Sequence, residues 1–222
     1  MNDEIRHSEA DQAEVVTGDL ERAKKEASNG VIQAERVQQL ILNVLDGRPF
    51  KLRTSTVLDL NRCAIAGLDS FAGNFRPGGV KINKSKHQPP EGHLVPELVE
   101  ELCDYVNDNW TERSSIHLAS MVMWRMNWIH PFTDGNGRTS RAVSYLVLCA
   151  NSEVLLRGAE TIPEQIVVDR LPYYTALEAA DLRYEADTNL NENTVEQMED
   201  LMRAMLARQL RGAFDTANSS GT

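Results

Sequence analysis

A chain of 222 residues with 41% hydrophobic and 25% charged side chains has the composition of a globular protein with a sizeable core. Its formal net charge of −10 argues against a broad electrostatic footprint on nucleic acid, and no run approaches the roughly 18 apolar residues of a membrane span. The polar, acidic start MNDEIRHSEADQAE is unlike a secretory signal or a transit peptide, so a cytoplasmic location is expected.

Residues 1 to about 28 are charged and read as an N-terminal helix or as partly disordered. Val37, Leu40, Ile41, Val44 and Leu45 follow the spacing of one helix face, which Gly47, Arg48 and Pro49 end. Val57, Leu60, Ala64, Ile65 and Leu68 form a second such run. Between Arg76-Pro77-Gly78-Gly79 and Pro89-Pro90, the segment Val80-Lys81-Ile82-Asn83 alternates apolar and polar residues, which predicts a two-stranded hairpin or extended flap. A third helical run begins near Pro96 and aligns Leu98, Val99, Leu102, Cys103 and Val106.

Trp110 to Trp128 reads as largely helical, with Ser114 or Ser115 as the N-cap. From Ala142 to Ala150 the pattern is apolar almost all round, which places that helix in the middle of the domain. Two further helices are predicted over Pro163–Leu182 and Thr194–Leu210, the second with Thr194 and Gln197 at capping-box spacing. The last eight or so residues, ending Asn218-Ser219-Ser220-Gly221-Thr222, read as a frayed tail. The fold class is therefore all-α with one small β element. Cys63, Cys103 and Cys149 are isolated thiols without metal spacing and are expected to be reduced.

Chemistry concentrates in His130-Pro131-Phe132-Thr133-Asp134-Gly135-Asn136-Gly137-Arg138-Thr139-Ser140-Arg141. Gly135 and Gly137 let the backbone approach a ligand closely, and Asn136 between them tolerates the same conformations. The free N–H groups where the next helix begins form an anion site. Arg138 and Arg141 share one helix face and can both reach it, as a polyphosphate requires. Asp134 offers an oxygen to the Mg²⁺ that accompanies ATP, and His130 suits general-base work. Each feature alone has a structural explanation; their co-occurrence in one short segment is what points to function.

This segment resembles the signature of the Fic family, His-Pro-Phe-x-(Asp/Glu)-Gly-Asn-Gly-Arg-x-x-Arg, at every specified position. Asn61 to Arg76, the flap segment and Arg170-Leu171-Pro172-Tyr173-Tyr174 are similar to the family's usual surroundings. The resemblance implies a helical bundle with a β-hairpin flap. It divides the chain into an N-terminal helical extension (1–53), a Fic core (54–193), and a C-terminal helix with a disordered tail (194–222). It further implies a protein adenylyltransferase that moves AMP from ATP, with Mg²⁺, onto a Ser, Thr or Tyr hydroxyl of a target protein.

In that scheme His130 is the general base and Asp134 the metal ligand. Gly135, Asn136 and Gly137 hold phosphate oxygens, Arg138 and Arg141 bind the β- and γ-phosphates, and Phe132 anchors the loop. Val80, Lys81, Ile82 and Asn83 would dock an extended target segment, while Tyr173 and Tyr174 either border the adenine or pack in the core. His87 and His93 are read as surface residues. Many members are restrained by a glutamate in (Ser/Thr)-x-x-x-Glu-(Gly/Asn) that pairs with the second motif arginine. Glu192, in Thr188–Asn193, matches those letters; Glu26 matches by location, although Arg22 stands where Ser or Thr is expected. A small separate inhibitor protein is the other route to restraint. Two alternatives stand beside this reading: a Fic-fold enzyme that uses another nucleotide donor or removes AMP, and a non-catalytic nucleotide-binding adaptor.

Overall fold

The two helices with the least polar surface form the centre of the bundle, as the absence of a polar face requires. In the computed structural model, which describes residues 8–9, 15, 18–156, 158, 160–191 and 193–219, these are α4 (Ser115–Ile129) and α5 (Asn136–Asn151). Ser114 caps α4 by accepting the His117 N–H at 3.1 Å. Ser144 on α5 donates to the Ala119 carbonyl of α4 at 2.7 Å, so a small side chain joins the central pair.

Around them lie α1 (Asp19–Leu45), α2 (Thr54–Ile65), α3 (Val95–Asp108), α6 (Ile162–Val168), α7 (Leu171–Ala186) and α8 (Glu196–Ser219). The core is built largely from Val, Leu, Ile and Met side chains of α2 to α5 and α8, with Trp124 and Phe132 fully buried. Helix α1 begins well before the apolar run at Val37, because its N-terminal half buries amides instead of hydrocarbon. Asn29 Nδ2 donates to the carbonyls of Ala64 (3.3 Å) and Ala66 (2.9 Å), and Gln33 Nε2 donates to Leu60 O at 2.8 Å. These amides satisfy carbonyls at the C-terminal end of α2. A buried relay also joins three helices: His117 Nδ1 lies 2.7 Å from Glu199 Oε1, and its Nε2 lies 2.8 Å from the Tyr105 hydroxyl.

The structure departs from the sequence expectations in four places. The helix expected over Pro163–Leu182 is two helices, because Asp169 is extended and Pro172 lies in the first turn of α7, where its missing N–H costs nothing. Thr194 does not open α8 with a capping box; its hydroxyl accepts from Asn191 N–H at 3.3 Å and the helix starts at Glu196. A capping box forms instead at Thr161 and Glu164 on α6. Helix α8 runs to Ser219, past the end expected at Leu210, since no proline interrupts it.

The fourth departure concerns the flap. Its strand, β2 (Lys81–Ile82), does not fold back on itself as a hairpin; it pairs antiparallel with β1 (Ser8–Glu9), with Ser8 opposite Ile82 and Glu9 opposite Lys81. Cys103 and Cys149 are buried, with thiols pushed up to about 11 by burial, and all three cysteines are free. Among the described residues no helix is long and apolar enough to cross a membrane.

Candidate active site

Helix α4 ends because His130 turns left-handed, at φ 51°, and Pro131 follows it. The loop that begins there is held by side chains from both directions. Arg76, 2% exposed, donates from Nε to His130 O (2.8 Å) and from its terminal nitrogens to the carbonyls of Gly78 (2.5 Å), Pro90 and Ile129 (3.4 Å). Phe132 is fully buried against Phe75. Thr133 donates to Asp69 at 2.9 Å.

Asn136 closes the loop with a two-way amide clamp: its Oδ1 accepts from Phe132 N–H at 2.9 Å and its Nδ2 donates to Phe132 O at 2.8 Å. The side chain shapes the turn by this clamp, while the residue itself lines the cavity described below. Gly135 then takes φ 78° at the N-cap of α5, a conformation natural to glycine, with Asn61 Nδ2 donating to Asp134 O at 3.1 Å beneath it.

This construction leaves the first turn of α5 open to a cavity of about 820 Å³, ample for a small-molecule ligand. His130, Asp134, Gly135, Asn136, Gly137, Arg138 and Arg141 all line it, as do Tyr173 and Tyr174. The flap contributes Ile82 and Asn83; Val80 is buried at its base and Lys81 is exposed. Tyr173 is buried and its hydroxyl accepts from Asn127 Nδ2 at 2.8 Å, so it packs in the core while showing an edge to the cavity. Tyr174 is half-buried beside it. Glu26 reaches the same cavity from α1, whereas Glu192 lies outside the described residues.

His87, expected at the surface, also lines the cavity: its Nε2 lies 2.7 Å from Trp128 O. His93 is exposed, as expected. Arg76, Asn61, His87 and Arg22 are the residues that motif reading did not assign a role. Asn61 and Arg76 bound the upstream family-like stretch, the one signal that was available for them.

The charges in the cavity are unevenly matched. Arg138 is paired, with Nη2 3.0 Å from Asp134 Oδ2 and Nη1 3.5 Å from Glu26 Oε1. Arg141, half-buried, has no carboxylate partner among the described residues. Burial holds its guanidinium below the ordinary range, with Arg170 and Arg138 adding repulsion, yet arginine remains charged. An unneutralised guanidinium beside a helix N-terminus is a site prepared for an anion. No cluster of three metal-binding side chains exists among the described residues. Asp134, one-third exposed at the cavity wall, is by itself the kind of ligand Mg²⁺ takes when phosphates supply the rest.

His130 is 6% exposed, and burial pulls its pKa down to about 3, with the positive charges of Arg76 and His87 acting in the same direction. The Asn127 carbonyl, 3.3 Å from Nδ1, and Asp134 oppose that shift without reversing it. The imidazole is therefore neutral at ordinary pH. Because the folded pKa lies below the unfolded value of about 6.5, neither state binds the proton above that pH. Between about 6.5 and 3 the unfolded chain binds a proton that the folded chain refuses, so stability falls as pH drops. A His130→Asn variant is expected to lose less stability than wild type between about pH 7 and pH 4.5, read by urea unfolding at matched pH.

Residues 51–148 match the model of the Fic/DOC family. Over these residues the chain is similar to that family. Protein adenylyltransferase fic-1 of Caenorhabditis briggsae is 28% identical over 143 residues, covering 63% of this chain and 26% of that protein. Protein adenylyltransferase Fic of Drosophila willistoni is 30% identical over 156 residues, covering 68% and 27% respectively. The chain thus spans about a quarter of the length of these curated relatives.

Among solved structures, a Fic domain containing signaling protein from Bacteroides thetaiotaomicron aligns with a TM-score of 0.66 at 19% identity, over 88% of this chain and 72% of that one. Fic-1 (residues 134–508) from Caenorhabditis elegans aligns with a TM-score of 0.65 at 21% identity, over 91% and 55%. At these identities the likeness concerns the fold, and it extends well beyond residues 51–148.

Proposed function

We propose that the chain is a protein adenylyltransferase, transferring AMP from ATP to a hydroxyl side chain of a target protein. The observation that carries this reading is Arg141: a cation without a carboxylate partner among the described residues, set at a glycine-lined helix start, in one cavity with a buried neutral imidazole. The adenylyltransferase names of the relatives support it. A carbonyl can only accept, so the contact with Asn127 O makes His130 Nδ1 the protonated nitrogen and leaves Nε2 as the basic one. In this reading Nε2 takes the proton of a Ser, Thr or Tyr hydroxyl, whose oxygen attacks the α-phosphorus while the bond to pyrophosphate breaks. The first-turn N–H groups of α5, with Arg138 and Arg141, hold the departing phosphates and stabilise their charge. Asp134 would hold Mg²⁺, which neutralises phosphate charge when bound.

The free side of β2, at the edge of the cavity, suits an extended target segment added by backbone hydrogen bonding. Glu26 on Arg138 is a restraint within the chain, placed on the first motif arginine and not on the second. On this reading α1, which provides Glu26, is the inhibitory element of the N-terminal extension. Because Glu26 lines the cavity, it also supports a second reading, AMP removal with that carboxylate activating water.

The deciding experiment incubates the full chain and Glu26→Gly with Mg²⁺ and either α-³²P- or γ-³²P-ATP, with and without cell lysate. Protein-bound label from the α-phosphate alone, increased in Glu26→Gly, is the expected outcome. Label from the γ-phosphate alone would make the chain a kinase; no label from either would remove AMP transfer from consideration.

A further inference from the structure

Four side chains at the cavity mouth close a ring of alternating charge. Arg22 Nε lies 3.5 Å from Glu26 Oε1, and the same oxygen lies 3.5 Å from Arg138 Nη1. Arg138 Nη2 lies 3.0 Å from Asp134 Oδ2, and Arg22 Nη2 completes the circuit 3.3 Å from that same oxygen. All four side chains line the cavity. Their side chains are 26% to 40% exposed, so water screens each contact without abolishing it.

The two oxygens of Asp134 are not equivalent. Oδ1 accepts from the Gly135 N–H at 2.5 Å and is fixed by the turn. Oδ2 is the oxygen left for a cation, and both guanidiniums hold it. A divalent ion on Oδ2 would compete with the guanidiniums on the same atom, because it would add a further like charge a few ångströms away in a half-buried site. Arg138 has somewhere to go, since phosphate oxygens would take its forks. Arg22 belongs to α1, remote in sequence from the loop it closes on.

We propose that Arg22 is the resident counter-ion of the metal-binding oxygen, occupying on Asp134 Oδ2 the place a divalent cation takes when nucleotide binds. Arg22 is thus a positioning residue, acting through Asp134 in opposition to the metal. The proposal rests on the reading of the cavity as a metal–nucleotide site. It assigns α1 two separate holds on that site, Glu26 on a phosphate arginine and Arg22 on the metal ligand. It also leaves Arg141 open, so nucleotide can seat before the metal does.

The test uses the full chain and the non-hydrolysable probe AMPPNP, titrated calorimetrically over a series of Mg²⁺ concentrations. Removing Arg22 also frees Glu26, so the comparison is made in Glu26→Gly, with and without Arg22→Ala, Arg22→Gln or Arg22→Lys. Unchanged melting temperatures verify the fold of each variant. The expected result is that Arg22→Ala and Arg22→Gln lower the Mg²⁺ concentration for half-maximal AMPPNP binding by about two- to fivefold, the range of one partly exposed ion pair, while Arg22→Lys does not. An unchanged Mg²⁺ requirement in Arg22→Ala overturns the proposal and leaves the nucleotide site standing. Binding weakened equally at every Mg²⁺ concentration also overturns it, by making Arg22 a phosphate ligand. Absence of AMPPNP binding in every variant overturns both the proposal and the function beneath it.

Discussion

His130→Ala is expected to cut AMP transfer by about 10²- to 10⁴-fold, the usual contribution of a positioned general base, while AMPPNP binding changes little. The imidazole lies at the end of α4, where its Nδ1 contacts the Asn127 carbonyl. Loss of the base and loss of the loop must be separated, because alanine at φ 51° is strained by roughly 1–2 kcal/mol. Asparagine tolerates that conformation, so His130→Asn keeps the turn without a base. Equal losses of initial rate in the two variants, with normal melting of His130→Asn, establish the base; recovery in His130→Asn would assign the defect to the backbone.

The second large effect is expected at Gly135. A Cβ there would stand 2.7 Å from Ile65 Cγ2 and 3.2 Å from Asn61 Nδ2, with the backbone held at φ +78°. Strain of about 1–2 kcal/mol and overpacking of about 1–3 kcal/mol together predict that Gly135→Ala loses about 2–5 kcal/mol of unfolding free energy. Nucleotide binding should fail with it, since the Asn61–Asp134–Gly135 contact sets where α5 begins. Gly137→Ala is the informative partner. Its added carbon would meet only Arg141 Nη1, at 3.1 Å, the movable end of a long side chain. That variant should melt like wild type and still bind AMPPNP more weakly. Urea unfolding and calorimetry read the two quantities separately, and equal stability losses in both variants would contradict the geometry.

The legible parts of this molecule were those in which one face carries hydrocarbon. Helices α2, α3 and the pair α4–α5 follow apolar spacing, and the His130–Arg141 segment carries glycines and charges whose uses are local. What escaped detection depends on partners distant in sequence. The first half of α1 buries Asn29 and Gln33, whose partners are carbonyls of α2, and no periodicity of apolar residues marks such a face. The flap strand finds its partner in Ser8–Glu9, more than seventy positions away, so a local search for a hairpin could not find the pairing. Arg22 was visible only as a misfit in a glutamate motif. Its contact with Asp134 spans 112 positions, and that misfit is what brings a cation to Asp134 Oδ2.

Arg76 has a mechanical consequence. Its guanidinium grips the flap at both roots, Gly78 and Pro90, and with the same hand holds the backbone carrying His130. The flap therefore cannot swing away like a hinged cover without dragging the base out of line. On the proposed function, a peptide laid along β2 would be measured against a ruler whose zero mark is the imidazole, so which hydroxyl is presented would be set by counting residues from the flap, more than by the shape of the pocket.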